Sequence, residues 1–194
     1  MQIDFNPYKD FIIIVGDNGS GKTTFCKMLI SKCDNSNTIV LNSSRESVWD
    51  NLINPKNNIK PELFTKKFFE KALLKIAALT NDKALVILDD IDNYGIKKSE
   101  VLKSVVINAR HLNLGLILMS RSLQDIPITL YKQAKYVFLG TQSTDYSIYY
   151  IATLIGMENA KKLKAIPKFT FGVYDSANRQ RFDFIKLKNE TGNL

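Results

Sequence analysis

Phe11-Ile12-Ile13-Ile14-Val15-Gly16-Asp17-Asn18-Gly19-Ser20-Gly21-Lys22-Thr23-Thr24 decides how the rest of this chain is read. Phe11 to Val15 is a continuous apolar run of strand length, rich in β-branched residues, as expected of a strand covered on both faces. Gly16 to Thr23 follows at once and fits G-x-x-x-x-G-K-[ST], a loop between a strand and a helix that wraps phosphates. Gly16, Gly19 and Gly21 let the backbone approach a phosphate chain with its N–H groups turned inward, and the helix N-terminus adds partial positive charge. Lys22 is expected to reach the β- and γ-phosphates. The Thr23 hydroxyl is expected to hold Mg²⁺, and Thr24 to face the nucleotide or the helix interior. Asp17, Asn18 and Ser20 complete the expected nucleotide-binding set, and the ligand implied is ATP with Mg²⁺.

Outward from this stretch, apolar runs of strand length alternate with segments of helical period, the mark of an α/β fold with a parallel sheet and helices on both faces. A helix is expected from Lys22 to Lys32, strands at Thr38 to Asn42, Ala84 to Asp89, Gly115 to Ser120 and Lys135 to Leu139, and a loop from Asn54 to Lys60. Pro61 suits the start of a helix over Glu62 to Leu79, and Ser99 a cap for one ending near Leu112. Asp145 to Lys164 reads as helix broken near Gly156. Phe169, Phe171, Val173, Phe182 and Phe184 alternate with other residues around a turn, which predicts a β-hairpin extending the sheet antiparallel. One domain over residues 1–188 is expected, with a frayed tail at 189–194.

The strand Leu85-Val86-Ile87-Leu88 ends in Asp89-Asp90, the second half of the expected site. Asp89 is placed to hold Mg²⁺ through water and Thr23, and Asp90 to orient or deprotonate the attacking water, with Asp92 in reserve. His111 reads as a capping or surface residue. Tyr146, Tyr149 and Tyr150 fall at helical spacing, which suits packing more than base stacking, and Trp49 carries no message by itself. No NKxD guanine-reading motif follows Asp90, no LSGGQ-like signature precedes it, and Arg110 is the one arginine between Asp90 and Ser120, too few for a kinase lid.

The chain has 194 residues, 45% hydrophobic and 24% charged, which suits one soluble globular domain. No apolar run reaches the ~20 residues of a membrane span, and the N-terminus lacks the pattern of a secretory signal, so a cytosolic protein that is not membrane-embedded is expected. Cys26 and Cys33 belong to no metal-binding pattern and read as thiols. The 27 basic residues against 19 acidic give a net charge of +8, which favours a polyanionic partner, nucleic acid first.

Ala109-Arg110-His111-Leu112-Asn113-Leu114-Gly115-Leu116-Ile117-Leu118-Met119-Ser120, then Gln124-Asp125-Ile126-Pro127 and Ala134-Lys135-Tyr136-Val137-Phe138-Leu139, resembles the FtsK/HerA-type DNA-pumping ATPases. Within them the chain is most similar to the compact genome-packaging ATPases of membrane-containing icosahedral and large DNA viruses, over roughly Phe11 to Leu187. The resemblance implies a RecA-like domain that hydrolyses ATP, self-associates into a ring, hexameric in that superfamily, and drives double-stranded DNA. It further implies a capsid or internal-membrane docking protein and residence in the host cytoplasm or at a packaging vertex of the virion. Carried over by position, Arg110 becomes the arginine finger acting in trans on a neighbour's γ-phosphate, beside the sheet edge where the nucleotide sits, with Arg45 the alternative. The family's glutamine sensor after the fourth strand is missing, leaving Ser120, Arg121 or Gln124 for that role. The helical stretch Asp145 to Lys164 keeps an AAA+-like loader open as an alternative, as is a non-translocating ATP-dependent switch.

Overall fold

The apolar run Phe11–Val15 forms β1, in the interior of a sheet of eight strands among the described residues. The computed structural model describes residues 3–187 except 32, 34, 35, 44–46, 80–82, 110 and 177–181. The other strands are β2 (Thr38–Asn42), β3 (Asn58–Ile59), β4 (Ala84–Asp89), β5 (Leu114–Ser120), β6 (Tyr136–Leu139), β7 (Thr170–Asp175) and β8 (Phe182–Lys186). Their order across the sheet is β3-β2-β4-β5-β1-β6-β7-β8. The pairings from β3 to β6 are parallel, and β6–β7 and β7–β8 are antiparallel, so the expected hairpin does extend the sheet at one edge.

Both faces are covered, which is why β1 and β4 are apolar without interruption. Phe11, Ile13 and Val15 enter one core together with Val86 and Leu88, under α2 (Lys66–Leu79), α3 (Glu100–Asn108) and α5 (Asp145–Ile155). Ile12, Ile14, Leu85 and Ile87 enter the other, with Phe25, Cys26 and Ile30 of α1 (Lys22–Ile30) and with Trp49. Each fully buried Ile or Leu contributes about 1.5–3 kcal/mol to folding. Phe25 stacks on Phe171 of β7 at 4.8 Å and meets Phe138 of β6 edge-on at 4.6 Å, locking the helix after the phosphate loop to the hairpin.

Departures from the sequence reading have local causes. α2 starts at Lys66, not near Pro61, because Thr65 caps it: its hydroxyl accepts the Phe68 N–H at 3.2 Å. The expected loop Asn54 to Lys60 holds a 3₁₀ turn, Pro55–Asn57, and the two-residue β3, too short to show a period. Ser99 caps α3 as expected, accepting from Leu102 N–H at 3.2 Å, but the helix ends at Asn108, before Asn113 turns left-handed at φ 50°. α4 (Ile128–Tyr131) was not anticipated, and the break at Gly156, φ 83°, separates α5 from α6 (Met157–Lys162). Lys32 and the tail at 189–194 lie outside the described residues. Among these residues no helix is long and apolar enough to cross a membrane.

Candidate nucleotide site

Strand order builds the site. β5 lies between β1 and β4, and Val15 and Ser120 are register partners, while Asp89 ends β4 one strand further on. The carboxyl ends of three neighbouring strands thus lie side by side, where parallel α/β sheets bind ligands. A cleft of about 710 Å³ opens there, lined by Asn18, Gly19, Gly21, Lys22, Thr23 and Thr24 from the loop and α1, and by Asp89, Asp90 and Arg121 from beyond β4 and β5.

The loop has the conformation its glycines permit: Gly19 has φ 77° and Gly21 φ 98°, where an L-residue is strained. The Lys22 ammonium turns back into the loop, donating to Gly16 O at 2.8 Å and to Asp17 O at 3.4 Å. Thr24 is exposed on the cleft rather than inside the helix. Gly16, Asp17 and Ser20 stand behind the lining. Asp17 accepts the Ser143 N–H at 2.7 Å and donates its own N–H to Thr141 O at 2.9 Å, so it braces the loop against the segment after β6. A side chain at Gly16 would meet Ser20 Oγ at 2.6 Å.

At the end of β4, side-chain parity continues the alternation of Leu85 and Ile87, so Asp89 falls on the α1 face of the sheet. It is 3% exposed, and its Oδ2 accepts the indole N–H of Trp49 at 2.9 Å. Burial, then the charge of Asp89, pushes the neighbouring Cys26 thiol well above its usual range, which favours the neutral thiol. Asp90 is left-handed, φ 48°, a turn that brings it to the cleft wall. Asp92 is committed elsewhere. Its Oδ2 pairs with Arg121 Nε at 3.2 Å and its Oδ1 accepts the Arg121 N–H at 3.2 Å, an arrangement that does not free it to serve as a base.

Of the three residues considered for the sensor, Arg121 alone lines the cleft. The buried Ser120 hydroxyl donates to Ser122 O at 3.1 Å, and Gln124 is half-buried away from the lining. Arg45 and Arg110 lie outside the described residues. The chain neighbours of Arg110, Ala109 and His111, precede β5, whereas the cleft opens past Ser120 at its other end. The expectation that this segment borders its own subunit's nucleotide edge is therefore corrected: α3 runs antiparallel to the strand it feeds and returns the chain to the strands' amino ends. His111 is exposed there. Tyr150 packs, edge-on to Tyr131 at 6.3 Å, with burial first raising its pKa to about 12, but Tyr146 and Tyr149 are each 65% exposed and do not.

Trp49, Ser43, Asn93 and Phe169 were not singled out for the site by sequence. Ser43, Asn93 and Phe169 line the cleft, and Trp49 stands directly behind Asp89. Phe169 has φ 61°, donates its N–H to Ser20 O at 3.2 Å, and lays its ring where a Gly21 Cβ would be, 2.5 Å away.

The donors present suit a magnesium nucleotide. Thr23, from α1, and Asp89, from the end of β4, both line the cleft and offer hard oxygen ligands. This fits an ion that keeps several waters and is held mainly by substrate phosphates.

The fold recurs in solved structures. The genome-packaging NTPase B204 of Sulfolobus turreted icosahedral virus 2, in complex with AMPPCP, superposes with TM-score 0.78 at 22% identity, over 95% of this chain and 100% of that one. B204 from Sulfolobus turreted icosahedral virus, a DNA-packaging ATPase, gives 0.76 at 20% identity over 93% and 98%. The N-terminal domain of the zonular occludens toxin of Neisseria meningitidis gives 0.53 at 10% identity over 94% and 96%. No curated protein sequence matches. The family model described as Poxvirus A32 protein matches residues 5–170, a span that includes the phosphate loop, Asp89, Asp90 and Arg121, and the chain is thus a P-loop ATPase that belongs to the Poxvirus A32 protein family.

Proposed function

We propose that this protein is the motor subunit of a viral genome-packaging machine, a homo-oligomeric ring, hexameric by analogy, that hydrolyses ATP to drive double-stranded DNA. The observation that carries the reading is the single cleft uniting Lys22, Thr23, Asp89, Asp90 and Arg121 at the sheet's carboxyl edge. Family membership and likeness to packaging NTPases support it.

Lys22 leaves Gly16 O to pair with the β- and γ-phosphates, and the loop N–H groups cradle the chain. Mg²⁺, held by Thr23 and through water by Asp89, would neutralise charge on the phosphate oxygens. Asp90 orients a water and takes its proton as the water oxygen bonds to the γ-phosphorus. The bond to the β–γ bridging oxygen breaks, releasing ADP and phosphate. Arg121 senses the γ-phosphate in cis, its pairing with Asp92 giving it a resting position that phosphate can compete with. Arg110 remains the proposed finger in trans, with Arg45 the alternative. Acting in trans, the finger would serve the next subunit's cleft, so hydrolysis would depend on a neighbour.

The net charge of +8, with Lys97, Lys98 and Lys161 exposed, supports a polyanionic track, although Lys162 pairs with Glu158 at 3.1 Å and Lys164 with Asp145. Its place would be the host cytoplasm and, during packaging, a capsid vertex, docked on a capsid or internal-membrane protein. The deciding experiment measures phosphate release with and without duplex DNA across protein concentration. Turnover per subunit that rises with concentration and with DNA, and duplex affinity that falls steeply with salt regardless of sequence, is the expected result. Turnover indifferent to both would favour an ATP-dependent switch. Mixing Lys22→Ala with Arg110→Ala should restore part of the activity, because mixed rings pair an intact loop with an intact finger; no recovery removes Arg110 from the reaction.

A further inference from the structure

Trp49 is the only tryptophan of the chain, fully buried, at the end of the 3₁₀ turn Ser47–Trp49. Three observations give it a place in the site. Its indole N–H donates to Asp89 Oδ2 at 2.9 Å. Its ring packs in the core formed by Phe25, Cys26 and Ile30 of α1, and Lys27 Nζ lies over the ring, 5.8 Å from its centre. Its carbonyl accepts the N–H groups of Leu52 and Ile53 at 3.1 and 3.0 Å, which fixes the turn that carries it. Lys27 stands one helical turn beyond Thr23. The indole is therefore wedged between α1, which carries Thr23, and β4, which carries Asp89.

We propose that Trp49 is a positioning residue for the magnesium nucleotide: it sets the orientation of the Asp89 carboxylate and its spacing from Thr23. The proposal rests on the reading of Asp89 as the carboxylate that holds the ion through water. The chemistry suits the task. An indole N–H donates and cannot accept or ligate, so it can orient a carboxylate without competing for the ion. A hydrogen bond to an ionised carboxylate is short and strong, and stronger still where water is excluded. An ion held through a water molecule needs its carboxylate in a fixed direction, and partners that supply such direction are commonly worth 10- to 100-fold in metal affinity. Asn42, the last residue of β2, pairs with Asp89 across the sheet, so β2 ends beside the end of β4.

The test uses the full chain with AMPPCP, reading Trp49 emission and the calorimetric Mg²⁺ titration. In the wild type, the emission of the nucleotide-bound protein should shift when Mg²⁺ is added and return with EDTA; an emission indifferent to Mg²⁺ overturns the proposal. Trp49→Phe keeps a ring but removes the N–H, and should weaken Mg²⁺ binding to the nucleotide complex by about 10-fold while leaving metal-free AMPPCP affinity unchanged. Trp49→His, which can donate, should recover part of that loss. A wild-type titration in Trp49→Phe overturns the proposal, and if that variant fails to fold, the wild-type emission decides. Asp89→Asn separates the two readings. If it loses Mg²⁺ affinity while Trp49→Phe does not, the inference about Trp49 falls alone; if Asp89→Asn binds Mg²⁺ normally, the role of Asp89 falls first.

Discussion

The carboxyl ends of β1 and β4 face the same cleft but are organised in different ways. At β1 the site is made by consecutive residues: Gly19 and Gly21 turn through positive φ, and Lys22 folds back onto Gly16 O at 2.8 Å. At β4 the strand supplies Asp89 and Asp90, but the geometry comes from far along the chain, with Asp89 held by Trp49 and the reserve carboxylate Asp92 drawn away by Arg121. The first end is a backbone device that a motif can describe. The second is a set of side-chain contacts whose members only the sheet order brings together.

The largest effect is therefore expected at the β1 end. Lys22→Ala should weaken ATP binding and bring turnover to background, a loss of more than ~10⁴-fold with binding and chemistry combined, read by nucleotide binding alongside phosphate release. Asp90→Asn should keep ATP affinity and lose about 10³-fold in turnover, because a base acts only in the chemical step. Unchanged turnover there would move the base elsewhere, and Asp92 would first have to leave Arg121. Arg121→Ala should cost less, roughly 10- to 100-fold in kcat with little change in ATP affinity, since a half-exposed arginine acts through charge that solvent partly screens. An Arg121→Ala loss equal to that of Lys22→Ala would break the contrast between the two ends.

The same contrast governs what could be read in advance. β1, β2 and β4 were legible to the residue because a buried parallel strand is a plain apolar run with sharp ends, and the loop was legible because its chemistry is sequential. The place of Asp90 after the strand is legible, but its left-handed turn is not, since no residue type demands it. Nothing local marks Trp49. A tryptophan in a polar stretch between two strands gains meaning only when β2 is known to lie beside β4. β3 and α4 were invisible for a different reason, having too few residues to show a period. Pro61 suits a helix start, yet α2 begins at Lys66, because the Thr65 hydroxyl satisfies an N–H that proline merely lacks. Helix direction alone shows that Ala109 and His111, which precede β5, sit at the strands' amino ends.

The smallest expected effect asks how local the β1 end really is. Gly21 needs its glycine for two separable reasons: φ 98° strains any L-residue, and a Cβ there would strike the ring of Phe169 at 2.5 Å. Phe169 is itself left-handed, a strain of about 1–3 kcal/mol that its surroundings sustain. In Gly21→Ala both penalties act; in Gly21→Ala/Phe169→Ala only the dihedral strain remains. Thermal unfolding of the wild type, both single variants and the double variant closes a cycle. If the ring excludes the side chain, the alanine at 21 should cost about 1 kcal/mol less in the Phe169→Ala background, a difference of ~2–4 °C in a domain of this size. Strict additivity would mean that the ring yields freely, leaving the loop's shape to its own backbone and to the Phe169 N–H on Ser20 O. A coupling of the expected size would make the hairpin entry part of the phosphate site, so that even the end written in consecutive residues would owe its shape to a contact about 150 positions away along the chain.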